Sequence, residues 1–417
     1  MDAATPEESE PLDVIVANEN ELRAAINQVG TIATINRPPA VITLASDIEL
    51  ISDFIIPTGV DITLKSSIGN VFSLISTRDM DAVTIVEGSK LTIENINITR
   101  ITGTKGSGII AARDTILIMN GGTISGHTGT KDDRSGGIDS YGTFVMNSGT
   151  IKGNTSAGSW VAGDVHIAGS CTLNDGVIGG DTDGGFSTSG AFTMNGGTLI
   201  GRVNMPSWNR SSGGSFIINN GTIEGNVSSS ITMYNGIING NVIAGRGTIN
   251  MMGGTINGNI LVSSGTLQDG TINGGVTIDS FGNGEVFTMN GGTIRDSDGI
   301  GVNCNGENVG DWGGSIFIMN GGTISGHRGV GVRIDGDVEC SMFTMNGGTI
   351  SGNGGGVSNN GRGQGGSIFT MCGGTITGNN NSDSGGGVDT SAIFTMSGGT
   401  IYNNTAGGSG GGVNQTG

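Results

Sequence analysis

A short phrase recurs along this chain, and one of its glycines never varies. Residues 315–327 read SIFIMNGGTISGH, residues 341–353 read SMFTMNGGTISGN, and residues 367–379 read SIFTMCGGTITGN. Thirteen copies align on a closing dipeptide that has Gly before it and Ile or Leu as its second residue. The first residues of the dipeptides are Thr123, Thr150, Val177, Thr198, Thr222, Ile237, Thr255, Thr271, Thr293, Thr323, Thr349, Thr375 and Thr400. A fixed phrase at elastic intervals is typical of a repeat architecture in which each copy builds one structural unit.

Apolar residues alternate with other residues inside each copy. Four residues before the dipeptide stands Met, Leu or Ile, and six residues before it most copies have Phe. This alternation, with β-branched residues between the apolar positions, predicts strands rather than helices. Each copy therefore reads as a strand, a bend and a second strand. The invariant Gly predicts a bend that needs positive φ or a close approach of the backbone.

Closely spaced copies, between Ile237 and Thr271, show what fills a complete turn. A third apolar segment lies there between copies, at residues 241–244, 259–262 and 275–278. Three short strands and three bends make one rung of a parallel β-solenoid, whose strands pair with the next rung about 4.8 Å away. We therefore predict an all-β chain folded as a right-handed parallel β-helix with three strands per rung. The compact rungs leave almost no loop, so they are expected to offer a smooth wall.

A short α-helix is predicted at the N-terminal end of the solenoid. Residues 18–30 begin with Asn18 as a potential N-cap and have Glu21 three residues later. Leu22, Ala25, Ile26 and Val29 fall on one face of such a helix. That face is expected to cover the open end of the first rung and its unpaired strand edge.

The sequence suggests the following domain organisation. Residues 1–12 are acidic and contain Pro, which indicates a flexible linker. Residues 13–417 are expected to form a single β-helix domain, with a cap at 13–40, initial rungs at 41–110 and NGGTI-type repeats at 111–417. Because the last residues stop within a repeat, we expect a piece of a longer surface protein that continues at the C-terminus.

The charge of the chain excludes some partners. It has 18 Lys and Arg residues against 36 Asp and Glu residues, for a formal net charge of -18. Such a chain repels phosphate backbones, so no nucleic acid partner is expected. No apolar run approaches the roughly 18 residues of a membrane span, so no membrane insertion by this segment is expected.

The combination of GGGV with FTMNGGTISGN resembles the repeats of bacterial cell-surface β-helix proteins. It is similar in style to the motifs of chlamydial polymorphic outer-membrane adhesins, and the N-terminal part resembles pectate-lyase-like right-handed β-helices. The resemblance implies an extracellular module, on the bacterial cell surface or secreted, whose loops bind a glycan or a host surface protein. It also implies an alternative function, that of a polysaccharide lyase or a glycoside hydrolase.

Candidate binding residues lie on the third strand of the rungs and in the loops beside it. The third strand carries a column of polar residues that we expect to point outward, and Asp139 and His166 are expected to be neighbours in it. Exposed tryptophans stack well on ligands. The ligand-binding candidates are Asp139, Trp160, His166, Trp208, Arg210, Trp312 and Arg333. Two interpretations stay open, a merely solvated polar face and a strip that binds sugar or protein.

No complete catalytic or metal-binding set is evident in the sequence. Asp181 and Asp183 form a fragment of a calcium motif without the other ligands, and no other cofactor is expected. The four cysteines fall in different columns of the repeat, which predicts buried free thiols. The recurrent bend Asn residues predict stacked amide ladders with a structural role.

Overall fold

The computed structural model describes residues 12–31, 39–131, 133–159, 161–180, 184–205, 215–279, 285–305, 314–335, 340–361 and 366–416. The predicted linker therefore lies outside the described residues except for Leu12. The chain divides into two compact units, Met1–Ser215 (unit 1) and Phe216–Gly417 (unit 2). In both units the described residues form a parallel β-solenoid, and one short helix stands at the N-terminal end of unit 1.

Three parallel ladders of strands run through unit 1. The first contains Asp13–Val16, Ala40–Leu44, Asp61–Ser66, Lys90–Glu94, Ile116–Ser125, Thr143–Lys152, Ser170–Leu173 and Ala191–Met194. The second contains Ile48–Leu50, Phe72–Ser76, Ile96–Arg100, the same two long strands, Val177–Gly179 and Thr198–Ile200. The third contains Phe54–Ile56, Val83–Ile85, Ile109–Ala111, Ile138–Ser140, Val165–Ile167, Gly185–Thr188 and Arg202–Asn204.

Unit 2 repeats this arrangement. Its first ladder contains Phe216–Ile218, Ile231–Met233, Val242–Met251, Ile260–Leu267, Val286–Met289, Ile316–Met319, Ser341–Met345, Ser367–Met371 and Ile393–Met396. Its second contains Thr222–Glu224, Ile237–Asn239, Thr255–Ile256, Thr271–Asn273, Thr293–Arg295, Thr323–Ser325, Thr349–Ser351, Thr375–Thr377 and Thr400–Tyr402. Its third contains Val227–Ser228, the long strands Val242–Met251 and Ile260–Leu267, Val276–Asp279, Val302–Asn305, Val332–Asp335, Val357–Asn359, Val388–Thr390 and Val413–Gln415. A separate small pair joins Asn380–Asn381 to Thr405–Ala406.

The core is built from columns of like residues, one per rung. The register places Phe317 beside Phe343, and Phe343 beside Phe369. Their rings stack with centroids 5.0 and 4.9 Å apart, and all three are fully buried. The Met, Ile and Val columns are buried in the same way, up to the last rung of unit 2. The predicted parallel β-helix with three strands per rung is thereby confirmed.

The invariant glycine has the backbone conformation that the sequence predicted. In all thirteen copies its φ is positive, between 72° and 110°. At Gly348, an added Cβ would also lie 2.5 Å from Met319 Cε and 2.8 Å from the carbonyl oxygen of Gly322. A side chain at this corner is therefore excluded twice, by backbone strain and by the preceding rung.

The bend asparagines form the predicted amide ladders. In unit 1, the Nδ2 atoms of Asn147, Asn174 and Asn195 each donate to the Oδ1 of the asparagine one rung before, at 2.7 to 2.8 Å. In unit 2, Asn346 donates to Asn320 at 2.8 Å in the same manner. Since each of these side-chain amides donates to the equivalent asparagine of the preceding rung, the columns stabilise the bend.

The N-terminal helix, Glu19–Thr31, caps the solenoid as predicted. The Glu21 backbone N–H donates to Asn18 Oδ1 at 3.0 Å, which identifies Asn18 as the N-cap. The four predicted apolar residues are all buried. Arg23 donates to the carbonyl oxygens of Ser52 and Asp53, which ties the helix to the first rung.

Substitution at the bend should separate strain from steric exclusion. We expect Gly348→Ala to lower the free energy of unfolding by about 3 kcal/mol, because it combines positive φ with a clash. Gly352 has φ of 65° with open space around a Cβ, so Gly352→Ala should cost only about 1 kcal/mol. Gly412 has neither feature, and Gly412→Ala serves as the neutral control. Denaturant unfolding measures all three, and equal losses at 348 and 352 would contradict this account.

Candidate functional site

The polar column on the third ladder of unit 1 is in register as predicted. Asp139 pairs with His166, and His166 pairs with Ser187. The prediction that this column points into solvent is wrong here, because Asp139 is 0% and His166 is 9% exposed. The loop residue Ala162 donates its N–H to Ser187 Oγ at 3.0 Å, which places the insertion over the strand. In unit 1 the column is therefore buried from Asp139 to Ser187, whereas Asn204 on the next strand is partly exposed.

Asp139 and His166 are direct partners inside this covered column. His166 Nδ1 lies 2.7 Å from Asp139 Oδ1. Arg134 Nε lies 3.8 Å from the other carboxyl oxygen, and its Nη1 is 3.5 Å from Asp81 Oδ2. Burial, followed by the charge of Asp139, raises the pKa of Tyr141 nearby. The cluster is a charged network held under loops, in which the carboxylate fixes the orientation of the imidazole.

The corresponding column of unit 2 is open. It runs in register through Thr277, Asn303, Arg333, Ser358, Asp389 and Asn414. Arg333 is exposed and the other five are partly exposed. We call these six residues the polar strip. Its side chains are organised: Arg333 Nε lies 2.7 Å from Asp335 Oδ2, and Asn414 Nδ2 donates to Asp389 Oδ1 at 2.8 Å.

A groove of about 530 Å³ lies at the N-terminal end of the polar strip. Thr277 and Asn303 from the strip line it. The remaining lining residues come from the compact rungs and from the first loop that follows them, namely Gly258, Asn259, Asn273, Gly274, Gly275, Asp296, Ser297, Asp298, Gly299 and Ile300. The side-chain oxygen of Asn303 is buried and has no hydrogen-bond partner among the described residues. Asn303 thus keeps an unsatisfied acceptor beside the groove.

Several of the predicted site residues lie outside the described residues. They are Trp160, Trp208, Arg210 and Trp312, and the two aspartates of the calcium fragment, Asp181 and Asp183. Of the seven ligand-binding candidates, the structure consequently describes Asp139, His166 and Arg333. Within the described ranges, no group of three or more His, Cys, Asp or Glu side chains is arranged to hold a metal ion.

The cysteines are free, as predicted. Cys171 and Cys304 are buried, and burial raises the pKa of both thiols. The other two depart from the prediction of burial. Cys340 is only partly buried, and Cys372 occupies the exposed bend position that Asn has in other copies.

Two buried histidines belong to the scaffold. His127 and His327 stand four residues after the start of the closing dipeptide, at a position that other copies fill with asparagine, as at Asn154 and Asn353. The backbone N–H of His127 donates to Asn154 Oδ1 at 3.0 Å, and that of His327 donates to Asn353 Oδ1 at 3.1 Å. Both histidines therefore stand in an internal ladder, and their backbone N–H groups donate to equivalent asparagine oxygens.

The tautomer of His127 follows from its partners. Nε2 lies 3.1 Å from the carbonyl oxygen of Ile98, so it carries the proton and donates. Nδ1 accepts from Arg100 Nε at 3.0 Å. Burial lowers the pKa of His127 from 6.5 to about 4, and the charge of Arg100 contributes to this shift to a smaller extent. The folded chain thus holds this ring neutral.

Comparison with protein-family models, with curated proteins and with solved structures found no match. Among the residues that the structure describes, no helix combines the length and the apolar character needed to cross a membrane.

The groove beside Asn303 was not predicted from the sequence. It forms where the compact rungs that end at Thr271 meet a rung with a longer loop, residues 296–301. The compact rungs, which were expected to offer a smooth wall, supply one side of this groove. The change in copy spacing after Thr271 was the signal that could have located it.

Acid should destabilise the protein through His127. The unfolded ring has a pKa near 6.5, so full stability holds above that pH and is lost as the pH falls toward about 4. At pH 5 the loss should be about 2 kcal/mol. His127→Asn, which inserts the residue that this column uses elsewhere, should remove that part of the pH dependence. Parallel pH profiles of unfolding free energy for the two proteins between pH 7 and 5 would contradict the assignment.

Proposed function

We propose that this protein is an adhesin-type β-helix module that binds glycan along the polar strip of unit 2. The observation that supports it is the open, in-register column Thr277–Asn303–Arg333–Ser358–Asp389–Asn414 on a solenoid wall. Neighbouring rungs of a parallel ladder are about 4.8 Å apart, so the strip extends over about 24 Å. That length suits an extended oligosaccharide rather than a single small molecule.

The chemistry of the strip supports a polyhydroxylated ligand. Amide, hydroxyl, carboxylate and guanidinium groups alternate along it, and together they donate to and accept from sugar hydroxyls. Arg333 Nε lies 2.7 Å from Asp335 Oδ2, and its guanidinium carries five N–H donors in all. The strands beneath are paired on both sides, except for Val413–Gln415 at the end of the ladder. The side chains are therefore presented on a rigid support, which limits the entropy lost on binding.

The resemblance to bacterial surface β-helix proteins supports the remaining parts of the proposal. A cell-surface or secreted module would hold the strip away from the cell and leave it accessible to a host glycan. An acidic chain with a formal net charge of -18 also suits an extracellular solenoid that must stay soluble and must not bind nucleic acid. A host surface protein is the other partner class that the strip could recognise.

A second candidate function is that of a polysaccharide lyase or glycoside hydrolase, and the Asp139–His166 pair favours it. A buried carboxylate that orients an imidazole is an arrangement used for general base chemistry. The His166 side chain is only 11% exposed, so a substrate would have to reach it past the covering loops. Release of new reducing ends or unsaturated products, lost in His166→Gln, would favour this function over simple binding.

Binding should depend on the strip and not on surface charge in general. On a glycan array we expect retention of a defined set of oligosaccharides without cleavage. Arg333→Ala should weaken retention about tenfold, because an exposed multidentate donor is lost. Lys152→Ala, which removes an exposed positive charge from the second ladder of unit 1, is the matched control and should bind normally.

Three results would contradict the proposal. They are an absence of binding to every glycan, equal losses in the Arg333 and Lys152 variants, and turnover of the retained glycan. Retention of a host protein through the same strip, with no glycan bound, would replace glycan by protein as the partner. Unfolding temperatures of the variants should match that of the unsubstituted protein, since both side chains lie outside the core.

A further inference from the structure

We propose that the groove beside Asn303 is the subsite that selects the sugar, and that it takes a neutral or an amino sugar rather than an acidic one. This inference rests on the proposed function and deepens it, because the groove lies at one end of the polar strip. Three features of the groove carry it: its shape, its free hydrogen-bonding group and the charges that surround it.

The shape of the groove follows from a step in the solenoid. Two successive compact rungs leave a wall with hardly any loop, and the next rung adds the segment from Asp296 to Gly301 beside that wall. Four glycines line this space. At Gly258, Gly274 and Gly275 an added Cβ would lie 2.3 to 2.6 Å from a backbone oxygen, so these three permit the close approach of neighbouring segments. At Gly299 an added Cβ would meet no atom within 4 Å, which shows that the space beside this residue is open.

The hydrogen-bonding group is the amide of Asn303. One of its terminal atoms, Oδ1, is buried without a hydrogen-bond partner among the described residues. A buried amide oxygen without a partner costs free energy. This oxygen is covered in the unliganded groove, so the Asn303 side chain would rotate to present it to a ligand hydroxyl or amine. On the compact rungs, by contrast, the Asn273 amide already donates a hydrogen bond to Asn257 and accepts one from Arg295. Asn303 is therefore the group in the groove floor that a ligand would complete.

The charges around the groove set its preference. Among the described residues, the groove is lined by two carboxylates, Asp296 and Asp298, and by no basic side chain. The described arginines near it each lie within ion-pair distance of a carboxylate, Arg295 with Asp296 at 3.6 Å, Arg328 with Asp298 at 3.3 Å and Arg333 with Asp335 at 2.7 Å. A uronic acid placed here would face carboxylates rather than cations. A neutral hydroxyl or an ammonium group would find acceptors.

The preference can be measured with oligosaccharides of equal length and different charge. The probes are glucosamine oligomers, N-acetylglucosamine oligomers and oligogalacturonate, titrated into the full chain by calorimetry. We expect the amino and neutral probes to bind at least about tenfold more tightly than oligogalacturonate, with the advantage of the amino probe reduced at high salt.

Two variants assign the binding to the groove. Asn303→Ala removes the free amide and should weaken the neutral probe about tenfold. Gly299→Leu fills open space, so it should block the groove while leaving the unfolding temperature unchanged. Lys152→Leu introduces the same side chain at an exposed position on the second ladder of unit 1 and should bind normally.

The outcomes distinguish this inference from the proposed function. Tighter binding of oligogalacturonate, or normal binding by Gly299→Leu, would overturn the groove assignment while leaving glycan binding by the strip intact. Failure of all three probes, together with a blank glycan array, would overturn both.

Discussion

Successive rungs can hydrogen-bond to one another only if every bend keeps equivalent strands aligned. The bend glycine makes this alignment possible. Its φ is positive in every copy, and the place of its missing Cβ is crowded by the preceding rung. At Gly374, for example, Met345 Cε and the carbonyl oxygen of Gly348 lie 2.6 and 2.8 Å from that place. The corner is thus specified by the absence of a side chain, which is why this position keeps its glycine in all thirteen copies.

Once the corners are fixed, most core and bend side chains have an equivalent side chain of the neighbouring rung beside them. Phe343 stacks on Phe369 with ring planes 5° apart, and Asn320 bonds to Asn290 at 2.7 Å. A column tolerates a single exchange when the new residue makes the same contacts. Cys171 takes a Phe position and remains buried, and His327 takes an Asn position and keeps the backbone bond of the ladder. Stability is therefore distributed over columns rather than held in one central cluster.

These columns also explain what could be predicted from the sequence. Periodic residue positions in the sequence predict the strands, the glycine bend, the amide ladders and the capping helix. The covering of Asp139 does not follow, because it depends on loops that differ from rung to rung. The groove at Asn303 was missed for a related reason, since it arises from the difference between two neighbouring rungs and not from any repeated position.

The same physical principle connects the scaffold with its binding site. In a regular amide ladder every donor meets an acceptor one rung away, as Asn257 does with Asn239 at 2.6 Å, so little capacity is left for a ligand. Free capacity arises where the repeat is interrupted, and Asn303 stands at such an interruption, between Thr277 before it and Arg333 after it. Neither neighbour offers the matching amide. When the regular ladders of a solenoid satisfy their own hydrogen-bonding groups, ligand binding can be confined to the places where neighbouring rungs differ.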